Sequence, residues 1–576
     1  MNRVQSPEGT LRASMLWLAF ALAIFLTFMH LGGFPLLVPD EGRNAEVARE
    51  MKVAGSWLVP TYDGATYLDK PAFFFKSVAL SLQAFGDLEW AARLPSALSA
   101  ALWLAMILGF CLRQYGARTA SLAVVVVAAT PLFMAFARIV IFDMMLGLFV
   151  SAAILSAFMA AEGSGVRRRN AYLVAAFFAG LATLVKGPVG FLIPLLVMSV
   201  YHLASGSRRE IRSFFGLGPV LLFLGLVLPW FIGLSLECPD FPYYGIMKES
   251  ISRFTTPEFR RTQPVYYYAI IVSVCFFPFS SVLPFALWEG LRRRFDLKPT
   301  DRLFIVWAIV VVVFFSLSKS KLPGYILTGM TAMGVLVARL LALALEGEET
   351  ALRVLRRSLL LLGIGSLMLS VPFLLGLGST EHLAELPWIR KDLFERFAPL
   401  FPGTLVSLGA TAFLAFSAWV FRSGRLAVGS FMVFPLLLVT LNFGWIPRYA
   451  SIKSAVTLKE SLPAGLPADT EFACIACMPH GLPFYLGQTM TLFTEDGGEL
   501  TSNYVLFSLK AGKPWPESLV PFREMKGYLS ASKRPIFLIA RREGLSEMKA
   551  LTGIEAPEIR ILSGGYIGVL LRPGVL

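Results

Sequence analysis

Long apolar runs recur along the first 446 residues and constrain the fold more than any other feature of the sequence. A helix of about 20 apolar residues crosses the hydrocarbon core of a bilayer, where its backbone polar groups must be satisfied within the segment. We predict thirteen such helices, over residues 14–38, 91–111, 120–137, 139–161, 171–187, 189–205, 214–236, 264–288, 303–318, 324–345, 359–378, 400–421 and 426–446. The predicted fold class is therefore a polytopic α-helical membrane protein.

The overall composition supports this class and excludes others. Hydrophobic residues make up 56% of the 576 positions and charged residues 16%, whereas soluble proteins have about 45–50% and about 25%. Five cysteines are too few for the disulfide framework of a secreted scaffold. Many of the basic residues behind the net charge of +14 form short clusters between apolar runs, so we expect no nucleic-acid partner.

The basic clusters predict the orientation of the chain in the membrane. Cytoplasmic loops are rich in Lys and Arg, and the clusters at 167–169, 208–212 and 292–294 fall in every second loop. This pattern places the N-terminus in the cytoplasm, and an odd number of helices then places the C-terminus outside. We expect the inner membrane of a bacterium, with the C-terminal segment in the periplasm.

Two regions of different composition predict two domains. Residues 1–449 form the predicted membrane domain, with outer loops at 39–90, 237–263 and 379–399 and an amphipathic stretch at 73–85. Beyond residue 450 the hydrophobicity falls. The pattern there predicts strands at 471–477, 535–540 and 566–571, and helices near 481–487 and 543–551. Residues 450–576 are therefore predicted to be a small soluble α/β domain, within the usual size range of domains.

Ionisable residues cluster on the predicted outer face, next to the membrane, where they are costly and usually functional. The cluster comprises Asp40, Glu41, Arg43, Tyr67, Asp69, Lys70, Asp143, Lys186, Arg253, Arg260, Arg261, Lys321 and Tyr325. An acidic pair can act as a general base or hold a divalent cation, and Lys or Arg beside Tyr suits a phosphate group. Together they predict an enzyme that acts on a phosphorylated lipid at the outer surface of the membrane.

Some of these residues also have a structural explanation. Asp40 and Glu41 are typical of a solvated helix start, where acidic side chains are common. If Asp143 is structural, we expect it to pair with Arg138 or Arg93, because an acid at the end of an apolar helix needs a partner. We expect His480 to be a satisfied surface histidine rather than a ligand.

Several short motifs resemble those of the GT-C superfamily of lipid-linked-sugar glycosyltransferases. They are DEGRNAE at 40–46, KP at 70–71, ARLPSA at 92–97, KGP at 186–188, SKLPGY at 320–325 and LPFYLG at 482–487. The branch that the chain resembles most is the bacterial lipid A 4-amino-4-deoxy-L-arabinose transferases, relatives of the protein O-mannosyltransferases. The resemblance covers nearly the whole chain. One departure is Asp69, which stands before Lys-Pro where many relatives have Glu.

The resemblance implies transfer of a sugar from undecaprenyl phosphate to lipid A or a related lipid, with inversion and without a nucleotide sugar. It implies 4-amino-4-deoxy-L-arabinose or a similar sugar as the group transferred. The implied catalytic acids are Asp40, Glu41 and Asp143, with Asp40 leading. Arg43 and Asp69 are implied to organise the site and the acceptor. The implied ligands of the donor phosphate are Tyr67, Lys70, Arg253, Lys321 and Tyr325.

The expected partners are the polyprenyl-phosphate sugar donor, the lipid acceptor and membrane lipids, and we expect a monomer. The sequence requires no cofactor beyond the lipid-linked donor. A requirement for a divalent metal stays open, and its candidate ligands are Asp40, Asp69 and Asp143.

Two alternative functions remain open at this point. The same fold could use another acceptor, as a protein O-glycosyltransferase or a lipopolysaccharide-core transferase. The chain could instead be a non-enzymatic flippase for a lipid or sugar, which predicts polar residues through the depth of several helices or paired broken helices. The candidate charges lie on one face and the sequence has no internal repeat, which favours the enzyme.

Overall fold

The computed structural model describes residues 7–257, 261–292, 297–378, 391–544, 549 and 559–573. Arg260, most of the predicted outer loop 379–399 and most of the predicted helix 543–551 lie outside the described residues.

Each of the thirteen predicted spans overlaps a helix. These helices are Pro7–Phe28, Glu89–Tyr115, Ala117–Ala128, Asp143–Glu162, Gly165–Lys186, Val189–Ala204, Leu217–Glu237, Tyr267–Cys275, Pro299–Leu317, Leu327–Leu345, Glu349–Gly378, Phe401–Phe421 and Gly424–Thr440. Within the described residues, seven helices are long and apolar enough to cross a membrane, or nine if each of two bent pairs counts as one span. The prediction of a polytopic helical membrane protein is confirmed.

Three predicted spans are broken rather than continuous. The run 426–446 ends its first helix at Thr440 and resumes as Trp445–Ile452, bent by 47°. The run 264–288 becomes the helix Tyr267–Cys275 and a second helix that turns away by 115°. The run 120–137 ends its first helix at Ala128 and resumes as Pro131–Phe136. A proline lies at the breaks in 120–137 and 264–288, at positions 131 and 278. Proline lacks the N–H that would continue a helix and clashes with the preceding turn.

The first outer loop folds into its own helices instead of crossing the surface as an extended chain. It contains the helix Asp40–Ala54, which we call the loop helix, a short hairpin of β1 (Thr61–Tyr62) and β2 (Ala65–Thr66), and the amphipathic helix Phe73–Phe85. The last of these matches the predicted amphipathic stretch. Its apolar side chains join the buried core described next.

The hydrophobic residues form one core inside the helix bundle and a second core above it. The bundle core is built around large side chains such as Trp103, Phe158 and Trp307. The second core joins the first outer loop to the C-terminal region through residues such as Phe74 and Leu492. The C-terminal region therefore packs on the outer loop that carries most of the candidate site residues.

The C-terminal region contains a six-stranded mixed sheet, of which the sequence predicted three strands. Its strands are β3 (Glu471–Ile475), β4 (Thr491–Thr494), β5 (Leu519–Pro521), β6 (Ile536–Arg541), β7 (Arg560–Ile561) and β8 (Tyr566–Leu571). The spatial order is β5-β4-β3-β6-β8-β7, with β5, β4, β3 and β6 parallel and β8 antiparallel to both neighbours. The sequence predicted β3, β6 and β8, which are nearly continuous apolar runs, as expected of strands buried on both faces.

Close backbone contact and long-range hydrogen bonds hold the C-terminal region against the loop helix. A Cβ added at Gly42 would lie 2.7 Å from the Cα of Gly481, so only glycine fits at this contact. The backbone N–H of Leu36 donates to the hydroxyl of Tyr485 at 2.8 Å. These contacts join positions more than 400 residues apart in the chain.

Candidate active site

A buried ion pair fixes the start of the loop helix. Glu41 is 2% exposed and Arg93 is fully buried. One Glu41 carboxylate oxygen accepts from Arg93 Nε and from the Val140 N–H, both at 2.9 Å. The other accepts from the Leu37 N–H at 2.9 Å and from Arg93 Nη2 at 3.0 Å. Four donors therefore occupy this carboxylate, which makes it a structural anchor.

Arg93 also organises the turn that leads into the loop helix. Its guanidinium donates to the carbonyl of Leu31 at 3.0 Å, of Phe34 at 2.7 Å and of Pro35 at 3.1 Å. It also lies 3.9 Å from the centroid of the Phe34 ring. The ARLPSA motif thus supplies the arginine that shapes the chain immediately before Asp40.

Asp40 has a different environment from its neighbour Glu41. Its side chain is 55% exposed, and one carboxylate oxygen accepts from Arg43 Nη2 at 2.5 Å. Arg43 in turn donates to the Thr501 hydroxyl of the C-terminal region at 2.8 Å. Arg43 thus holds Asp40 in a fixed orientation while leaving it open to a ligand.

Two buried cations converge on a single carboxylate in the second part of the site. Lys70 Nζ and Arg253 Nη1 both donate to Oε1 of Glu249, and these three side chains are 10–14% exposed. Lys70 also donates to the Asp69 carbonyl at 2.6 Å. Burial lowers the pKa of Lys70, although the charge of Glu249 opposes this effect. Burial alone would raise the pKa of Glu249, but Lys70 and Arg253 bring it below its usual value, so the cluster is ionic.

A second buried ion pair lies beside this cluster. Lys186 Nζ donates to Asp143 Oδ1 at 2.6 Å and lies 4.9 Å from the Phe142 ring centroid and 4.6 Å from that of Tyr325. Tyr325 also interacts electrostatically with Arg253, which links the two ion pairs. The structure therefore brings Lys70, Arg253 and Tyr325 together, as the sequence predicted for a phosphate site.

The expected structural partners of Asp143 are wrong. Its partner is Lys186, because Arg93 is committed to Glu41 and Arg138 donates to backbone carbonyls, including that of Met134 at 2.5 Å. A Cβ at Gly324 would lie 3.2 Å from Asp143 Cγ and 2.5 Å from a ring carbon of Phe136. The glycine in SKLPGY thus lets the Tyr325 segment approach Asp143.

Asp69 connects the cation cluster to the C-terminal region. Its Oδ1 accepts from the Tyr504 N–H at 2.8 Å and from the Tyr244 hydroxyl at 2.7 Å. Its Oδ2 accepts from the Asn503 N–H at 3.0 Å. These amides begin the helix Asn503–Lys510, whose N-terminus favours a negative charge. Asp69 therefore anchors the segment that carries Lys70.

Tyr67 lies beside the Arg43 guanidinium, whereas Lys321 is held by backbone carbonyls. Tyr67 is buried with the Arg43 guanidinium 5.9 Å from its ring centroid, and it lies within electrostatic range of both Asp40 and Glu249. Lys321 Nζ donates to the carbonyls of Gln263 at 3.0 Å and Ser318 at 2.5 Å. In the described residues Lys321 thus fastens its own segment to the loop that carries Arg253.

The three candidate metal ligands are held apart by different partners. Asp40 pairs with Arg43, Asp69 with the backbone at Asn503 and Tyr504, and Asp143 with Lys186. Within the ranges that the structure describes, no group of three Asp, Glu, His or Cys side chains is arranged to hold a metal ion.

The expectation that His480 lies on the surface is wrong. His480 is buried beneath the loop, and its Nδ1 lies 2.7 Å from the Tyr62 hydroxyl. Burial lowers its pKa to about 3, and the charge of Arg43 acts in the same direction. The histidine is therefore neutral at physiological pH.

Sequence reasoning missed Glu249 and gave Lys186 no role. Glu249 stands four residues before Arg253, a spacing that brings two side chains together on a helix. That spacing was the available signal. Lys186 was singled out as part of KGP, but its partner Asp143 lies 43 positions away.

An apolar cavity of about 930 Å³ lies next to the acidic end of the site. Its lining includes Leu37, whose N–H donates to Glu41, and Phe34, which packs on Arg93. The lining also contains Ala135, Arg138, Ile139, Phe373, Phe394, Phe397, Phe401, Trp445, Ile446, Tyr449, Ile452 and Lys453. A cavity that is mostly apolar with two basic side chains suits the chains of an anionic lipid.

Comparisons with known proteins find similarity to transferases that use lipid-linked sugars. Residues 69–232 match the family described as dolichyl-phosphate-mannose-protein mannosyltransferase. Over 343 residues the chain is 31% identical to the undecaprenyl phosphate-alpha-4-amino-4-deoxy-L-arabinose arabinosyl transferase of Aeromonas hydrophila, which covers 58% of this chain and 62% of that protein. The chain thus spans about three fifths of the length of the first curated relatives that it matches.

Solved structures share the fold over nearly the whole chain. The crystal structure of ArnT from Cupriavidus metallidurans bound to undecaprenyl phosphate has a TM-score of 0.79 at 24% identity, covering 97% of this chain and 98% of that chain. The apo structure of the same protein has a TM-score of 0.76 at 25% identity, with the same coverage. The chain therefore has the GT-C fold that its motifs predicted.

Proposed function

We propose that this chain is an ArnT-like member of the GT-C superfamily, a glycosyltransferase that uses undecaprenyl phosphate as the sugar carrier. The sugar is 4-amino-4-deoxy-L-arabinose or a similar one, and the acceptor is lipid A or a related lipid. One observation carries the proposal: Lys70 and Arg253 are buried and converge on one anion, beside Lys186 and Tyr325. The names of the relatives, which specify an undecaprenyl-phosphate-linked aminoarabinose, support the same donor.

Lys70 and Arg253 promote departure of the carrier phosphate from the anomeric carbon. As the anomeric C–O bond breaks, its electron pair passes to the phosphate and negative charge grows on the phosphate oxygens. Lys70 and Arg253 are fixed in a partly dehydrated site, so they stabilise this charge more in the transition state than in the ground state. Tyr325, which lies within electrostatic range of Arg253, adds a further polar group at the same place.

Asp40 accounts for the attack by the acceptor. Its exposed carboxylate can take the proton of an acceptor hydroxyl while the hydroxyl oxygen bonds to the anomeric carbon. If the acceptor is a phosphate monoester, already ionised near pH 7, Asp40 instead orients it. Attack on the face opposite the departing phosphate gives inversion.

The remaining acidic residues support the two reacting groups rather than react themselves. Glu41 keeps Asp40 in position through Arg93, which replaces its expected role as a second acid. Asp143 holds Lys186 beside the phosphate site. Asp69 anchors Lys70, and Lys321 anchors the loop that carries Arg253.

The apolar cavity favours a lipid acceptor over a protein. Its volume of about 930 Å³ and its aromatic lining suit acyl chains, and it lies beside the turn that presents Asp40. The proposal includes a periplasmic site, with the N-terminus in the cytoplasm and residues 450–576 outside, and a monomeric enzyme in the bacterial inner membrane.

Mass spectrometry of lipid A tests the proposal in cells. A Gram-negative host that lacks its own transferase but makes the donor would express the native chain or the Asp40→Asn variant. We expect a pentose-amine mass increment with the native chain and none with the variant at equal membrane abundance. An unmodified lipid A with the native chain would contradict the proposed acceptor or sugar, and modification by both chains would contradict the role of Asp40.

A further inference from the structure

The carboxylate of Glu249 occupies the place between the two cations of the donor site. Its Oε1 accepts from both Lys70 and Arg253. Its Oε2 is buried and has no hydrogen-bond partner among the described residues. A buried carboxylate oxygen without a donor is unusual, because most buried polar atoms are satisfied. The carboxylate thus makes only half of the contacts that it could make elsewhere.

A carboxylate and a phosphate compete for the same donors. Both are anionic acceptors that bind Lys and Arg through charge-assisted hydrogen bonds. Lys70 Nζ and Arg253 Nη1 each direct one hydrogen at Oε1 of Glu249, so a carrier phosphate can take these two hydrogens only if Glu249 releases them. A phosphate that binds through the remaining hydrogens lies beside a like charge, which favours departure of Glu249.

The backbone around Glu249 suits such a movement. Glu249 lies in the π-helical segment Tyr244–Ser252, and π-helical turns are rare and often found at functional sites. One end of the segment is held by the hydrogen bond from Tyr244 to Asp69. Beyond the other end, the Lys319 N–H donates to the Phe254 carbonyl at 2.8 Å. With both ends held, a change of helical register rotates the middle of the segment.

The different charges of donor and product explain how displacement and return of Glu249 would help turnover. The sugar-bearing carrier is a phosphodiester with one negative charge, whereas the released carrier is a monoester that approaches two charges near pH 7. Without a competing anion, Lys70 and Arg253 would therefore hold the product more tightly than the donor. A competing carboxylate offsets this difference, and it also accepts hydrogen bonds from both cations when the site is empty.

We propose that Glu249 is a built-in competitor for the carrier phosphate. It pairs with Lys70 and Arg253 in the empty site, is displaced when the phosphate binds, and returns as the product leaves. This inference rests on the proposed function and adds to it a residue that sets carrier affinity and speeds product release.

Binding of undecaprenyl phosphate to the full-length chain in nanodiscs tests the inference. We expect Glu249→Gln to bind at least about tenfold more tightly than the native chain, equivalent to about 1.4 kcal/mol. Without ligand the variant should have an equal or lower melting temperature, and with ligand a larger increase. Glu237→Gln is the matched control, since it removes the same charge from an exposed position in the same loop, and it should bind like the native chain.

Turnover measurements separate competition from a purely structural role. For Glu249→Gln we expect stronger inhibition by added undecaprenyl phosphate and a lower kcat, with an unchanged or lower KM for the donor. Glu249→Asp keeps the charge on a shorter arm and should have intermediate affinity, which covers the case in which the Gln variant folds poorly.

Two results would overturn the inference in distinguishable ways. Equal or weaker carrier binding by Glu249→Gln, with the native chain active in transfer, would reject the competitor role alone. No carrier binding by either chain would reject the proposed function together with the inference.

Discussion

Replacing Glu41 by Gln distinguishes an anchor from a catalyst at the start of the loop helix. Each Glu41 oxygen accepts from two donors, one of them on Arg93. Gln keeps the shape but turns one acceptor into an NH₂ group that faces two other donors. It also leaves the fully buried Arg93 without its counter-charge. Removing one partner of a buried ion pair costs about 3–5 kcal/mol.

The expected result is a fall in stability, with transfer activity largely retained by the molecules that stay folded. The melting temperature of the purified Glu41→Gln variant should drop by several degrees, because about 3 kcal/mol is a large part of the stability of most domains. At a temperature where the variant is still folded, its transfer activity per folded molecule should remain substantial. Scanning fluorimetry and a transfer assay on the same preparation measure both quantities.

Asp40→Asn is the matched comparison, since it makes the same chemical change one residue earlier. Asp40 is 55% exposed and makes one ion pair, and exposed pairs contribute about 0–1 kcal/mol. This variant should melt close to the native chain but lose transfer. The reasoning is refuted if Glu41→Gln keeps the native melting temperature and loses activity, because Glu41 would then act in the chemistry.

Three further predictions follow from single contacts. Gly42→Ala places a Cβ against Gly481 and should loosen the C-terminal region, which limited proteolysis detects as faster cleavage after residue 450. Asp69→Ala removes the carboxylate that accepts from the first two amides of the helix Asn503–Lys510. The change should cost about 1–2 kcal/mol of stability and raise KM for the donor, because Lys70 loses its anchor. An unchanged KM would argue against this. His480 has a pKa lowered to about 3 by burial, so only the unfolded chain takes up its proton as the pH falls below about 6.5. This contributes a loss of about 1.4 kcal/mol by pH 5.5; melting temperatures at pH 7.5 and 5.5 should therefore differ less for His480→Gln than for the native chain.

The fold was predictable because membrane helices and buried strands leave strong patterns. Runs of apolar residues located the helices, and the ordered motifs indicated the GT-C fold. The breaks near Pro131 and Pro278 were missed because the apolar character continues through them. Hydrophobicity reports which segments are buried, but not where a helix turns.

The site was predictable in its residue types but not in its pairings. Asp40 and Glu41 look equivalent in the sequence, yet successive residues of a helix point about 100° apart. Asp40 is therefore exposed at the surface of the protein, whereas Glu41 faces Arg93. The hydrogen bond of Arg43 to Thr501 spans 458 positions, and no spacing rule reveals it. The resemblance implied that Lys321 binds the phosphate, but backbone carbonyls hold its ammonium group.

Transfer by the purified protein is the most direct test of the central claim. The full-length chain would be mixed with undecaprenyl-phosphate-linked aminoarabinose and lipid A, without any nucleotide sugar, and the products measured by mass spectrometry. We predict a lipid A species heavier by one aminoarabinose, formed by the native chain and absent with Asp40→Asn and with the double variant Lys70→Met/Arg253→Met. Failure of the correctly folded native chain to consume this donor would contradict the account.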